Sequence, residues 1–301
     1  MRSLASFIMR GPLQAALVTA AAALVPLLFL FSGAAVTLVT LRQGRRAGMT
    51  VIVMGTCLTV VPIWLFSGST TPVTVGLLSL FWLPLWGLAM VLRTTVALAK
   101  TLQVALLFAI LVLLIFAIYT TDLALWGQHW LEQVLNPLLQ QLPLTTEEQA
   151  IFAQGLDALT PLVVGLLIAN GLASVLLSLL LGRWWQAVLF NPGGFRNEFH
   201  ELRLGQPMAL GTLLVFGIAW LTKSPLFANV IPLLVVIYTL QGIALLHGIA
   251  SKLKLAQGWL VGFYLLLLLA LPQVLTLLCL VSISDAWLDF RARIKPPAEF
   301  H

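Results

Sequence analysis

Long apolar runs separated by short basic islands constrain this chain more than any motif does. Sixteen Lys and Arg residues stand in 301, and most fall in a few clusters between hydrophobic stretches. Only 9% of residues are charged, against roughly 25% in a soluble domain. A window of about 20 apolar residues crosses a bilayer core as a helix, because only there does every backbone group find its partner internally. Several windows here meet that length. The pattern predicts an all-α fold: a polytopic transmembrane helical bundle of about 8–10 membrane segments, forming a single integral membrane domain over 1–301. The net charge of +6 then reads as cytoplasmic flanks facing anionic lipid, not as nucleic-acid affinity.

The islands also order the segments. Arg2 and Arg10 precede an apolar stretch from Gly11 to Leu41, followed by RQGRR at Arg42 to Arg46. Those 31 residues would extend roughly 46 Å as one helix, too long for a core of about 30 Å. Two short helices broken near Pro26, or in the SGAA stretch, return the island to its starting side. Met49 to Phe66 then runs outward, Ser67 to Pro72 turns, and Val73 to Leu92 returns to Arg93 and Lys100. Thr101 to Thr120 leads to an external helical loop, 122–157, with five acidic residues and no Lys or Arg. Thr145 or Thr146 is a candidate cap there, with Glu147 and Glu148 in the first turn. Ala158 to Leu181 leads to a cytoplasmic loop, 182–207. Met208 to Leu221 and Leu226 to His247 flank Lys223, the one basic residue placed outside. The last run, Trp259 to Ile283, is interrupted by Pro272 and enters a cytoplasmic C-terminal segment, 285–301. With both terminal runs broken, fifteen basic residues lie on one side and one on the other, so both termini are expected on the cytoplasmic side.

Three groups of polar residues stand out. In the 182–207 loop, Arg183, Arg196, Glu198, His200, Glu201 and Arg203 surround an NPGG turn signal, where Pro fixes φ and Gly accepts positive φ. This reads as a cytoplasmic elbow with local ion pairs or as a partner-docking surface. Trp184 and Trp185 are expected to anchor the helix exit at the interface. HELRL is not HExxH, and no metal, cofactor or catalytic set is assembled. In the terminal SDAWLDFRARIK, Asp285 and Asp289 are four apart and share a helical face. Asp289 and Arg293 are one turn apart. Asp285 at the membrane boundary needs a partner or a raised pKa, with Arg183, Arg196 and Arg203 as candidates, so the segment, completed by Arg291, reads as a C-terminal helix with ordinary ion pairs or as a fixed link to the Arg196–Arg203 loop. Inside the presumed spans, Asn170, Tyr238, Gln241 and His247 are polar positions expected to face the bundle interior, as helix glue or as the lining of a small cavity. Cys57 and Cys279 lack ligand spacing. Ala16 and Ala20 make a small-residue row that allows close helix contact, within the chain, with a partner or in a homodimer.

With these residues in view, the chain resembles the bacterial DUF2232 (YybS-like) membrane family over essentially its whole length. The broken N-terminal run, RQGRRAG, NPGGFRNEFHELRLG, QGIALLHG and DAWLDFRARIK carry the resemblance. That family is distantly similar to the substrate-binding membrane subunits of energy-coupling-factor transporters and to the rod-shape protein MreD. The resemblance implies one of two functions. One is a non-enzymatic scaffold or accessory protein of the cell envelope, working with a membrane or cytoplasmic protein partner. The alternative is a substrate-binding transporter subunit holding a small-molecule ligand. Membrane lipids are partners in either case, and no nucleic acid is expected.

Overall fold

The computed structural model describes residues 1–67, 72–120, 122–135, 137, 141 and 145–294. Every regular element among them is helical. In chain order these are α1 (Arg2–Ile8), α2 (Pro12–Ala23), α3 (Phe29–Gln43), α4 (Arg45–Ser67), α5 (Pro72–Thr95), α6 (Leu98–Thr120), α7 (Leu123–Trp130), α8 (Thr146–Leu159), α9 (Val163–Phe190), α10 (Gly194–His200), α11 (Gln206–Thr222), α12 (Pro225–Lys252), α13 (Gln257–Leu269), α14 (Leu271–Leu288) and α15 (Phe290–Arg293). Among the described residues, five helical stretches are long and apolar enough to cross a membrane, and five shorter apolar helices accompany them. The chain is therefore a polytopic helical membrane protein. The expected outer turn falls largely on 68–71, which with Pro143 and Lys295 lies outside the described residues.

The first apolar run is broken as its length requires. α2 ends at Ala23, a single 3₁₀ turn spans Pro26–Leu28, and α3 begins at Phe29. Pro26 takes an early position in that turn, where its missing N–H costs nothing. With 12 and 15 residues, the two helices extend roughly 18 and 22 Å, short of the bilayer core. The last run breaks too, at Ala270, whose φ of −128° and ψ of 48° leave the helical region. Pro272 lies in the first turn of α14.

The chain forms two compact units. The first comprises Met1–Ala105 and Ala173–Leu202. Its centre is α3, in which every residue from Ser32 to Leu41 is buried. Ser32, Gly33, Ala34 and Ala35 are small, so neighbours approach the α3 backbone closely, the usual device for packing helices without a hydrophobic driving force. α2, α4 and α5 pack around it. On another side lies 173–190 of α9. A β-carbon placed on Gly182 would stand 2.6 Å from Thr37 Cβ and 2.7 Å from the Ala34 carbonyl oxygen, so glycine is required for that crossing. The Trp82 indole donates to Ser32 Oγ at 3.0 Å. Ala16 and Ala20 are buried inside this unit, where α2 meets α3 and α4.

The second unit comprises Leu106–Leu172 and Arg203–His301. α12 is its most enclosed span, packed against α14 and α11. Gly242 lets α14 close on it: an added β-carbon would stand 2.8 Å from Ser282 Oγ and 3.0 Å from Leu278 Cβ. The acidic loop begins with Asp122, whose carboxylate accepts the Ala124 and Leu125 amides and caps α7. Thr145 and Glu148 form a reciprocal capping box at α8, so Thr145 is the cap and Thr146 begins the helix.

Candidate functional site

The polar side chains of the second unit converge on its helix crossings. Gln241 is 2% exposed. Its Oε1 accepts the Leu204 N–H at 3.2 Å, and its Nε2 donates to the Ser282 carbonyl at 2.9 Å. Ser282 Oγ in turn donates to the Tyr238 carbonyl at 2.9 Å. The Tyr238 and Thr212 hydroxyls lie 3.2 Å apart and share a hydrogen bond. Tyr238 and Gln241 thus occupy one face of α12, as their spacing predicts, and both are committed to neighbouring backbone or hydroxyl groups. His247 Nδ1 lies 2.9 Å from the Ile243 carbonyl one turn back, and its Nε2 lies 3.4 Å from the Tyr264 hydroxyl. A proton on Nδ1 satisfies both contacts, with Tyr264 donating to Nε2.

Asn170 differs from expectation. It is exposed on α9, so the interior position is held by another amide. That amide is Asn229, fully buried on α12. Its Oδ1 accepts the Gly165 N–H at 2.6 Å, and its Nδ2 donates to the carbonyls of Pro161 and Pro225, each at 2.7 Å. Pro161 and Gly165 are one turn apart, the pair that an unbroken α-helix joins directly. Asn229 was legible in principle: it is the one amide between Pro225 and Pro232 in an apolar run.

At the C-terminal end of the same unit, charges close a clamp. Asp289 leaves the helix with φ 43° and ψ 66°, a left-handed conformation that Asp tolerates better than most residues. This turn removes Asp289 from the face of Asp285 and corrects two expectations. Asp289 does not pair with Arg293 through helical spacing. Instead both its oxygens accept the Arg203 fork, Nη1 to Oδ2 at 2.8 Å and Nη2 to Oδ1 at 2.7 Å, while Oδ1 also caps Ala292 N–H. The turn also brings Arg291 back onto Asp285. That carboxylate, 3% exposed, accepts Arg291 Nη1 at 2.9 Å and Phe290 N–H at 2.9 Å. The partner of Asp285 is thus Arg291, six residues on, and not Arg183, Arg196 or Arg203. Lys252 Nζ donates to the Arg291 carbonyl at 2.7 Å. The Arg203 hydrogen bonds hold the Asp289 carboxyl below its ordinary range, against weaker desolvation.

In the first unit, the elbow forms as α10 after the NPGG turn, with Gly193 at φ 85°. Glu198 reaches back to α9 and meets Arg183 Nη2 at 2.8 Å. Burial pushes the Glu198 carboxyl upward, with Arg183 opposing. Arg196 and Glu201 are exposed, and His200 is half-buried. Trp185 is not an interfacial anchor: it is 1% exposed and packs 5.8 Å from the Phe31 ring. Among the described residues no group of three His, Cys, Asp or Glu side chains is arranged to hold a metal.

Fold and site together define a membrane-embedded, multi-pass helical protein with a fixed polar clamp at one end of its second unit. Compared with family models, with curated proteins and with solved structures, the chain matches none of them.

Proposed function

We propose that this protein is a non-enzymatic scaffold or accessory protein of the cell envelope, held in a bacterial inner membrane with both termini cytoplasmic. One observation carries the reading. The buried polar groups of the second unit that a ligand cavity would use, Gln241, Tyr238 and Asn229, are all engaged in joining helix to helix or helix to loop. Polar groups spent this way specify a rigid bundle. The buried pair of Asp285 and Arg291 then holds in place an accessible one, Arg203 and Asp289, with Trp287 44% exposed close by in sequence, the aromatic and arginine chemistry that anchors protein interfaces.

The test is purification from native membranes in mild detergent, with mass spectrometry of co-purifying proteins and small molecules. The expected result is a membrane protein in fixed ratio whose retention falls in Trp287→Ser and in Arg203→Gln. A stoichiometric small molecule that is lost in Gln241→Leu would instead establish the substrate-binding alternative and remove the scaffold reading.

A further inference from the structure

The first unit contains a cavity of about 250 Å³ where α3, α5 and α9 end, and its polar lining is dominated by arginine. Arg42, Arg93 and Arg183 come from three different helices. Glu198 is the one carboxylate lining it, so the cavity carries a surplus of two positive charges. The amides of Gln186 and Asn191 complete the polar wall.

Each arginine is held differently. Arg93 Nη1 donates to the Thr40 and Leu41 carbonyls in the last turn of α3 at 3.1 and 2.9 Å, and the Thr40 carbonyl also accepts the Gly44 N–H at 2.9 Å. Its Nε and Nη2 make no other hydrogen bond among the described residues. Arg183 pairs with Glu198. Arg42 has no carboxylate partner among the described residues. Its guanidinium lies 4.3 Å over the Phe190 ring, a contact that orients a cation without neutralising it. The rim also carries strain. Val96, which lines the cavity and is 73% exposed, sits at φ 50°, a conformation that a β-branched residue adopts only when its surroundings impose it.

Converging guanidinium forks with amide donors are the chemistry that recognises tetrahedral oxyanions. The volume is below the roughly 300–1,000 Å³ of drug-sized sites, which suits a headgroup-sized group. Phe190 and Val96 add an exposed apolar edge, and basic pockets between membrane helices are where anionic lipid headgroups bind. We propose that this cavity binds the phosphate group of an anionic ligand, with Arg42, Arg93 and Arg183 as its cationic contacts.

Two sources share that chemistry, a phospholipid headgroup and a soluble phosphate. The experiment places the full-length protein in phosphatidylcholine nanodiscs and titrates phosphatidylglycerol in one arm and inorganic phosphate in the other, with binding read by native mass spectrometry and ³¹P NMR. Arg42→Gln removes a charge from an exposed residue whose one described contact is the Phe190 ring, so folding is retained. Losing one charge-assisted contact lowers affinity about tenfold or more. Arg42→Lys, which keeps the charge and loses the fork, falls between the two. Lys223→Gln removes the same charge from the second unit and leaves binding unchanged. Loss in the lipid arm assigns the site to a headgroup, and loss in the phosphate arm assigns it to a soluble anion. If Arg42→Gln and Arg183→Gln bind both probes as the wild type does, or if Lys223→Gln loses as much as Arg42→Gln, the proposal is overturned.

Discussion

Replacing Gln241 by leucine separates a structural amide from a ligand-binding one. Leucine fills similar volume, so the change removes hydrogen bonds with little cavity. Two are lost, from the Leu204 N–H and to the Ser282 carbonyl. Interhelical hydrogen bonds in membranes average about 0.6 kcal/mol and reach about 1.7. The pair therefore contributes about 1–3 kcal/mol. The upper part of that range is expected, because Leu204 is buried and its N–H is left without an acceptor. Thermal unfolding in mild detergent, followed by tryptophan fluorescence, should then fall by roughly 2–12 °C, from about 2–4 °C per kcal/mol. Ser282→Ala should cost less, since it removes only the Oγ bond to Tyr238 and leaves the carbonyl that Gln241 uses. A Gln241→Leu protein that melts with the wild type, or above it, would refute the assignment of this amide to helix joining.

Other outcomes follow from the same geometry. Gly182→Ala drives a methyl into Thr37 and the Ala34 carbonyl, and overpacking of this kind costs about 1–3 kcal/mol, measurable in the same unfolding assay. Arg203→Gln should leave global melting nearly unchanged, because Asp289 is exposed. It should raise amide exchange across Phe290–Arg293 and move the Asp289 titration up toward its ordinary 3.8, read by carboxyl ¹³C shifts. Glu198 gives a pH dependence of opposite sign. Its folded carboxyl holds a proton more tightly than the unfolded one, so its contribution to stability is present below about 4.5 and is lost as pH rises through the raised folded value. Glu198→Gln should flatten the melting temperature over that window, and an unchanged slope would show that Glu198 is not the group responsible.

The helical class and the two broken terminal runs were readable because length and hydrophobicity act locally. A 31-residue run with a central proline cannot be one span, and α2 and α3 show the result. The shared face of Tyr238 and Gln241 was readable for the same reason, since helical spacing sets it. What failed needed information that spacing does not carry. Asn170 and Asn229 look alike in sequence, yet only Asn229 meets a helix interrupted at Pro161. A link between the C-terminal segment and the Arg203 loop was readable, but not that Asp289 makes it, because helical spacing does not extend through Asp289, where a single left-handed residue re-aims everything after it. Arg42 and Arg93 read as topology markers, and nothing in their spacing shows that three helices end around one cavity.

α3 has consequences for how the protein reaches its membrane. A helix of roughly 22 Å with small residues along much of its length makes a poor independent insertion signal, and the faces it buries belong largely to helices encoded after it. Its final placement must therefore wait for α4, α5 and the later part of α9 to leave the ribosome. Chains truncated after Gln43 should leave α3 accessible to a water-soluble thiol reagent at an introduced cysteine such as Ala35→Cys, whereas full-length chains should protect it. Equal protection in both would show that the segment settles by itself.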